Sequence, residues 1–63
     1  MAHKIGDRVL WQSYAGVVEQ ISPEGIHFRV QFEQPYPPIP HLLNGAAWFC
    51  SHEIVGVNKV FNQ

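Results

Sequence analysis

Between positions 26 and 32 apolar and polar residues alternate without a break: Ile26, Phe28, Val30 and Phe32 fall on one face of an extended chain, His27, Arg29 and Gln31 on the other. A period of two held this long predicts a β-strand with one buried face. Shorter patterns precede it. After the turn pair Gly6-Asp7, the run Arg8-Val9-Leu10-Trp11-Gln12 puts Val9 and Trp11 on one face and Arg8 and Gln12 on the other, a first strand. Ser13-Tyr14-Ala15-Gly16 then opens a second, Val17-Val18-Glu19-Gln20-Ile21, in which Val18 and Ile21 break the alternation by one residue. A β-bulge near Glu19 and Gln20 brings both inward and bends the sheet. Ser22-Pro23-Glu24-Gly25 reverses the chain, because Pro23 presets the second turn position and Gly25 accepts a positive φ.

The alternation stops at residues 33–45. Their centre is Pro35-Tyr36-Pro37-Pro38-Ile39-Pro40, four prolines in six positions. Proline has no backbone N–H, so this stretch cannot be a central strand and runs as a loop or polyproline-like strap with exposed apolar side chains. Leu42-Leu43-Asn44-Gly45-Ala46-Ala47-Trp48-Phe49-Cys50 follows, with an Asn-Gly pair between apolar runs, a strong hairpin signal. A short helical turn capped by Gly45 is the rival reading. Ser51-His52-Glu53-Ile54 reads as a brief 3₁₀ turn, with Ser51 as its cap and Glu53 near its start. Val55 to Phe61 reads as a closing strand. No segment of ten or more residues has helical periodicity, and there is no internal repeat.

These elements describe an all-β chain, a single small five-stranded SH3-like barrel spanning residues 1–63 as one domain, with a proline-rich loop between strands 3 and 4. Closure removes the sheet edges that an open five-stranded sheet must protect. An OB-like barrel is the runner-up and usually needs more residues.

Size narrows the picture. A 63-residue chain buries only about 60% of the surface its unfolded form exposes, so it draws support from disulfides, a metal or self-association. Cys50 is the only cysteine, which rules out an internal disulfide. His3, His27, His41 and His52 are too widely spaced to suggest a zinc site, so surface histidine is the expectation for each. Self-association is what remains. Lys4, Arg8, Arg29 and Lys59 stand against five carboxylates, for a net charge of −1. Four scattered cations make no phosphate-tracking stripe, and nucleic acid is disfavoured as a partner. Neither a signal peptide nor an apolar run long enough to span a membrane is visible, and a lone thiol fits the cytoplasm.

Gly6-Asp7-Arg8-Val9, Gly16-x-Val18-x-x-Ile21 and Pro23-Glu24-Gly25 before an alternating strand resemble the opening of many SH3-like barrels, among them KOW-type and Tudor-type modules. They also resemble the type II dihydrofolate reductases of plasmids and integrons, small SH3-like barrels that assemble as tetramers around a central active-site pore. That resemblance covers about half of the chain. It implies the fold and an oligomer, and not the activity. The reductases line their pore with a Val-Gln-Ile-Tyr segment, which falls here on Ala46-Ala47-Trp48-Phe49; the glutamine is Ala47 and the tyrosine is Phe49, without its hydroxyl. A lysine of the family's first strand is replaced by Trp11. Each change removes a polar handle on folate or the nicotinamide cofactor, so no catalytic residue, cofactor or metal is assigned.

The aromatic residues carry the remaining signal. Trp48 and Phe49 are neighbours, so on a strand they point to opposite faces and one lies outside a single core. Either the proline strap folds back over the outward ring, or that ring is an interface anchor, as Trp and Tyr commonly are. Trp11, Tyr14 and Phe32 with Glu33 form a second candidate, an aromatic cage for a methylated cation; the inward parity of Trp11 and Phe32 argues instead for core. Cys50 reads as a small apolar residue, and the adjacent Ser51, His52 and Glu53 cannot converge on one substrate atom as a triad.

The sequence therefore predicts a non-enzymatic interaction module, a homo-oligomer or the partner of another protein, whose contact surface comprises Tyr36, Pro37, Pro38 and Ile39 with Trp48 or Phe49. The alternatives are a divergent reductase-like oligomeric enzyme and a KOW-like nucleic-acid-binding barrel.

Overall fold

The computed structural model describes residues 3–57. They form one antiparallel sheet of five strands, β1 (Arg8–Trp11), β2 (Tyr14–Ile21), β3 (His27–Phe32), β4 (Ala46–Cys50) and β5 (Val55–Gly56), in the order β4-β3-β2-β1-β5. The mainly β composition follows from the period-two runs and the absence of any helical one. The only helical element among the described residues is the 3₁₀ turn Ser51–Glu53.

Local signals set most of the boundaries. β1 and β2 pair from Arg8 opposite Val17 to Trp11 opposite Tyr14. Their connection is the tight turn Gln12-Ser13, where Gln12 has a φ of 55°. Gln12 was expected in the first strand; instead the reversal comes one residue earlier, and β2 starts at Tyr14 rather than Val17. The predicted bulge is present. The register between β2 and β3 shifts between Val18 and Gln20, leaving Glu19 unopposed, and Val18 is fully buried while Ile21 packs half-buried against the core.

β3 behaves as its alternation requires for Phe28, Val30 and Phe32, which are 0–3% exposed. Ile26 departs from it and is 54% exposed. The cause is the reversal at Gly25, whose φ of +78° keeps the chain turning until His27. Inward parity counts only inside the ladder.

Asn44 and Gly45 adopt φ of 53° and 80° and close a two-residue hairpin in which Leu43 and Ala46 exchange backbone hydrogen bonds of 2.8 and 3.0 Å. Positive φ at both central positions is the mirror-image turn that suits strand twist, and the helical alternative for Gly45 does not form. The predicted 3₁₀ turn forms, but its N-cap is Cys50, not Ser51, and the Glu53 carboxylate accepts the Cys50 N–H at 2.7 Å. The long side chain of Glu53 reaches back one turn. β5 is seen as Val55–Gly56 on the outer side of β1; the remainder of the predicted closing strand lies outside the described residues.

The core occupies one face of the sheet. Val9, Val18, Phe28, Val30, Phe32, Ala47, Phe49 and Ile54 are each no more than 4% exposed and form one cluster. His3 joins its rim, 7% exposed, with its ring edge-on to Phe28 at 5.1 Å and Nε2 3.5 Å from the Ser51 carbonyl oxygen. The expectation of a surface histidine fails at this position, because the His3 ring is packed against Phe28 beside Ser51.

Candidate interaction surface

Register decides which aromatic ring faces outward. Phe28 pairs with Phe49, and Arg29 with Trp48. Since Phe28 points into the core, Phe49 does too, at 4% exposure, whereas Trp48 stands beside Arg29 on the opposite face and is 45% exposed. Phe49 is enclosed by rings: Phe32 meets it edge-on at 5.7 Å, Trp11 lies at 6.0 Å and His41 at 6.4 Å.

Residues 33–45 run between β3 and β4 and cover the inward ring, not the outward one. Pro37 is buried, Ile39 and Leu42 pack half-buried on the core, and His41 reaches Phe49. Tyr36 is 43% exposed, with its ring against the backbone of Gly45. Of the six predicted contact residues, Tyr36, Pro38 and Trp48 present surface. Ile39 presents little, while Pro37 and Phe49 are enclosed by their own chain and offer none.

The four cage candidates divide between two environments. Trp11 and Tyr14 stack at 6.2 Å with an interplanar angle of 30°. Phe32, however, is 3% exposed in the core, and Glu33 turns outward to form a 3.1 Å ion pair with Arg8. A cage wall cannot be built from a ring sealed behind the sheet. A groove of about 370 Å³ does lie beside this end, lined by Tyr14, Ala15, Glu33 and Pro35 among others.

Trp48 separates two further concavities. One, about 490 Å³, is lined by Gln20, Ile21, Ser22, Pro23, His27 and Trp48; the other, about 300 Å³, includes Arg29, His41, Leu43 and Trp48. Arg29 carries the charge of this face and is already held, its Nε 2.9 Å from Glu19 Oε2 and a terminal nitrogen donating to Gln20 Oε1 at 3.3 Å. Cys50, opposite His27, is half-buried rather than fully enclosed. Sequence reasoning missed Pro23, His27 and Leu43 as neighbours of Trp48. Their proximity depends on cross-strand register and on the hairpin folding beside β4, neither of which has a local signature.

Comparison with protein-family models, with curated proteins and with solved structures finds no match to this chain. The residues themselves carry the functional argument.

Proposed function

We propose that the chain is a small SH3-like barrel acting as a non-enzymatic interaction module that associates with copies of itself. The barrel reading is supported by β1 lying between β2 and β5, by the bulged β2, and by the 3₁₀ turn that joins β4 to β5. The observation that carries the functional reading is Trp48. A large ring 45% exposed on the sheet face opposite the core does nothing for the core, and tryptophan is the residue type most enriched among interface anchors. Leu43, 65% exposed, lines the concavity on one side of Trp48 and extends its apolar surface.

Enzymatic function has less support. Of the segment that aligns with the reductases' pore, Ala47 and Phe49 belong to this chain's own core, and the polar groups that would hold folate are replaced. Nucleic-acid binding is weakened by the pairing of Arg8 with Glu33 and Arg29 with Glu19.

Sedimentation equilibrium over a micromolar to millimolar range tests the proposal. The expected result is a mass rising from 7.2 kDa toward a multiple of it. A constant monomer mass overturns the self-association, and saturable NADPH binding would move the reading to an enzyme.

A further inference from the structure

Self-association of a β protein can extend a sheet edge or cover a sheet face, and the β4 edge discriminates between the two. Phe32 N–H donates to the Gly45 carbonyl at 2.8 Å, so by antiparallel alternation Ala47 and Phe49 bond to β3, and Ala46, Trp48 and Cys50 direct their backbone groups to the open side. Ala46 is occupied there: its N–H and carbonyl are both bonded to Leu43. The Cys50 N–H is occupied by Glu53 Oε1 at 2.7 Å. Among the described residues, only Trp48 in the middle keeps open groups, flanked by Leu43 on one side and the 3₁₀ turn on the other. A second strand running along this edge collides with the Leu43 backbone before it can form a second pair of bonds.

Resting on the self-association reading above, we infer that the second copy docks face to face on the Trp48 side of the sheet and not by strand addition at β4. A twofold contact brings each patch against its own counterpart, so the face must be self-complementary. At its centre this face meets that condition: Arg29 is neutralised within the chain by Glu19, so two copies meet there without opposed free guanidinium groups. Trp48 also walls a shallow concavity with Ile21, Pro23 and His27, so the two exposed indoles cover one another near the axis.

The test combines mass with fluorescence. Sedimentation is run on the wild type, Trp48→Glu and Glu53→Ala, and emission is followed against concentration in Trp11→Phe, where Trp48 is the sole indole. A face-to-face dimer requires a blue shift of Trp48 emission in step with the mass, at least a tenfold weaker dissociation constant for Trp48→Glu, and no tightening for Glu53→Ala, which unblocks the edge. Association that persists in Trp48→Glu, or emission that stays constant while the mass rises, overturns the face and leaves self-association standing. Tighter association in Glu53→Ala overturns it in favour of the edge. If Trp48→Glu fails to fold, the emission series decides alone. A wild type that never associates overturns the underlying reading itself.

Discussion

Val30 Cγ1 lies 2.5 Å from where a β-carbon on Gly16 would stand, and the carbonyl oxygen of Gln31 lies 2.8 Å from the same point. Gly16 is buried in β2 opposite Phe32, so the absence of a side chain there lets β3 and its core residues approach. Gly16→Ala is expected to destabilise the domain by about 1–3 kcal/mol, the usual range for overpacking, which for a domain of this size lowers the melting temperature by roughly 4–8 °C per kcal/mol. Because backbone atoms of Gln31 and Phe32 also stand in the way, adding Val30→Ala should not restore the melting temperature. Recovery in the double variant would show that only the valine methyl was in the way.

Phe28 and Ile26 have the same parity in the sequence and opposite fates in the fold. Phe28 is fully buried and meets His3 edge-on, whereas Ile26 is 54% exposed at the hairpin. Phe28→Ala is expected to cost ~3–5 kcal/mol, comparable to the whole stability of a marginal domain, and Ile26→Ser to stay within about 0.5 kcal/mol of wild type. Chemical denaturation of the two variants side by side checks the assignment. Equal losses would contradict the start of β3 at His27.

What was legible before the structure was whatever a few neighbouring residues decide. The alternation of Phe28, Val30 and Phe32, the bulge at Glu19, the Asn44-Gly45 reversal and the 3₁₀ turn all rest on interactions within a handful of positions. The face to which Trp48 belongs was not legible, because it is set by the register between β3 and β4 across the 13-residue stretch 33–45. His3 illustrates the same limit at longer range, since its burial involves Ser51, 48 positions away. The proline strap was expected to expose its apolar side chains, but packing places Pro37, Ile39 and Leu42 against the core and leaves Trp48 as the outward feature.

Glu53, not a serine, makes the side-chain hydrogen bond at the start of the 3₁₀ turn, accepting from the Cys50 N–H. Removing it in Glu53→Ala leaves the Cys50 N–H without its protein acceptor, at a cost of roughly 0.5–2 kcal/mol by analogy with other helix-end caps. Glu53→Gln retains an acceptor oxygen at the same reach and should recover most of the loss. The melting temperatures are thus ordered wild type, Gln, Ala. If Ser51→Ala destabilises more than Glu53→Ala, the capping assignment fails.

Gly45 links the hairpin to the strap. A β-carbon there meets the Tyr36 ring at 2.6 Å and Gln31 Nε2 at 2.8 Å, and its φ of +80° is itself unfavourable for an L residue. Gln31 Nε2 in turn donates to the Asn44 carbonyl at 3.1 Å, tying the outer face of β3 to the turn. Gly45→Ala therefore incurs two costs, about 1 kcal/mol or more of left-handed backbone strain and a displacement of Tyr36. The second is removable, because the Tyr36 atoms belong to a side chain half in solvent, while the contact with Gln31 Nε2 remains in either background. In a double-mutant cycle, Gly45→Ala should cost less in a Tyr36→Ala background than in the wild type, with a coupling of at least ~0.5 kcal/mol. Strict additivity would mean that Tyr36 does not rest on Gly45 in solution, and that the strap's tyrosine is freer to meet a partner than its packing against the hairpin implies.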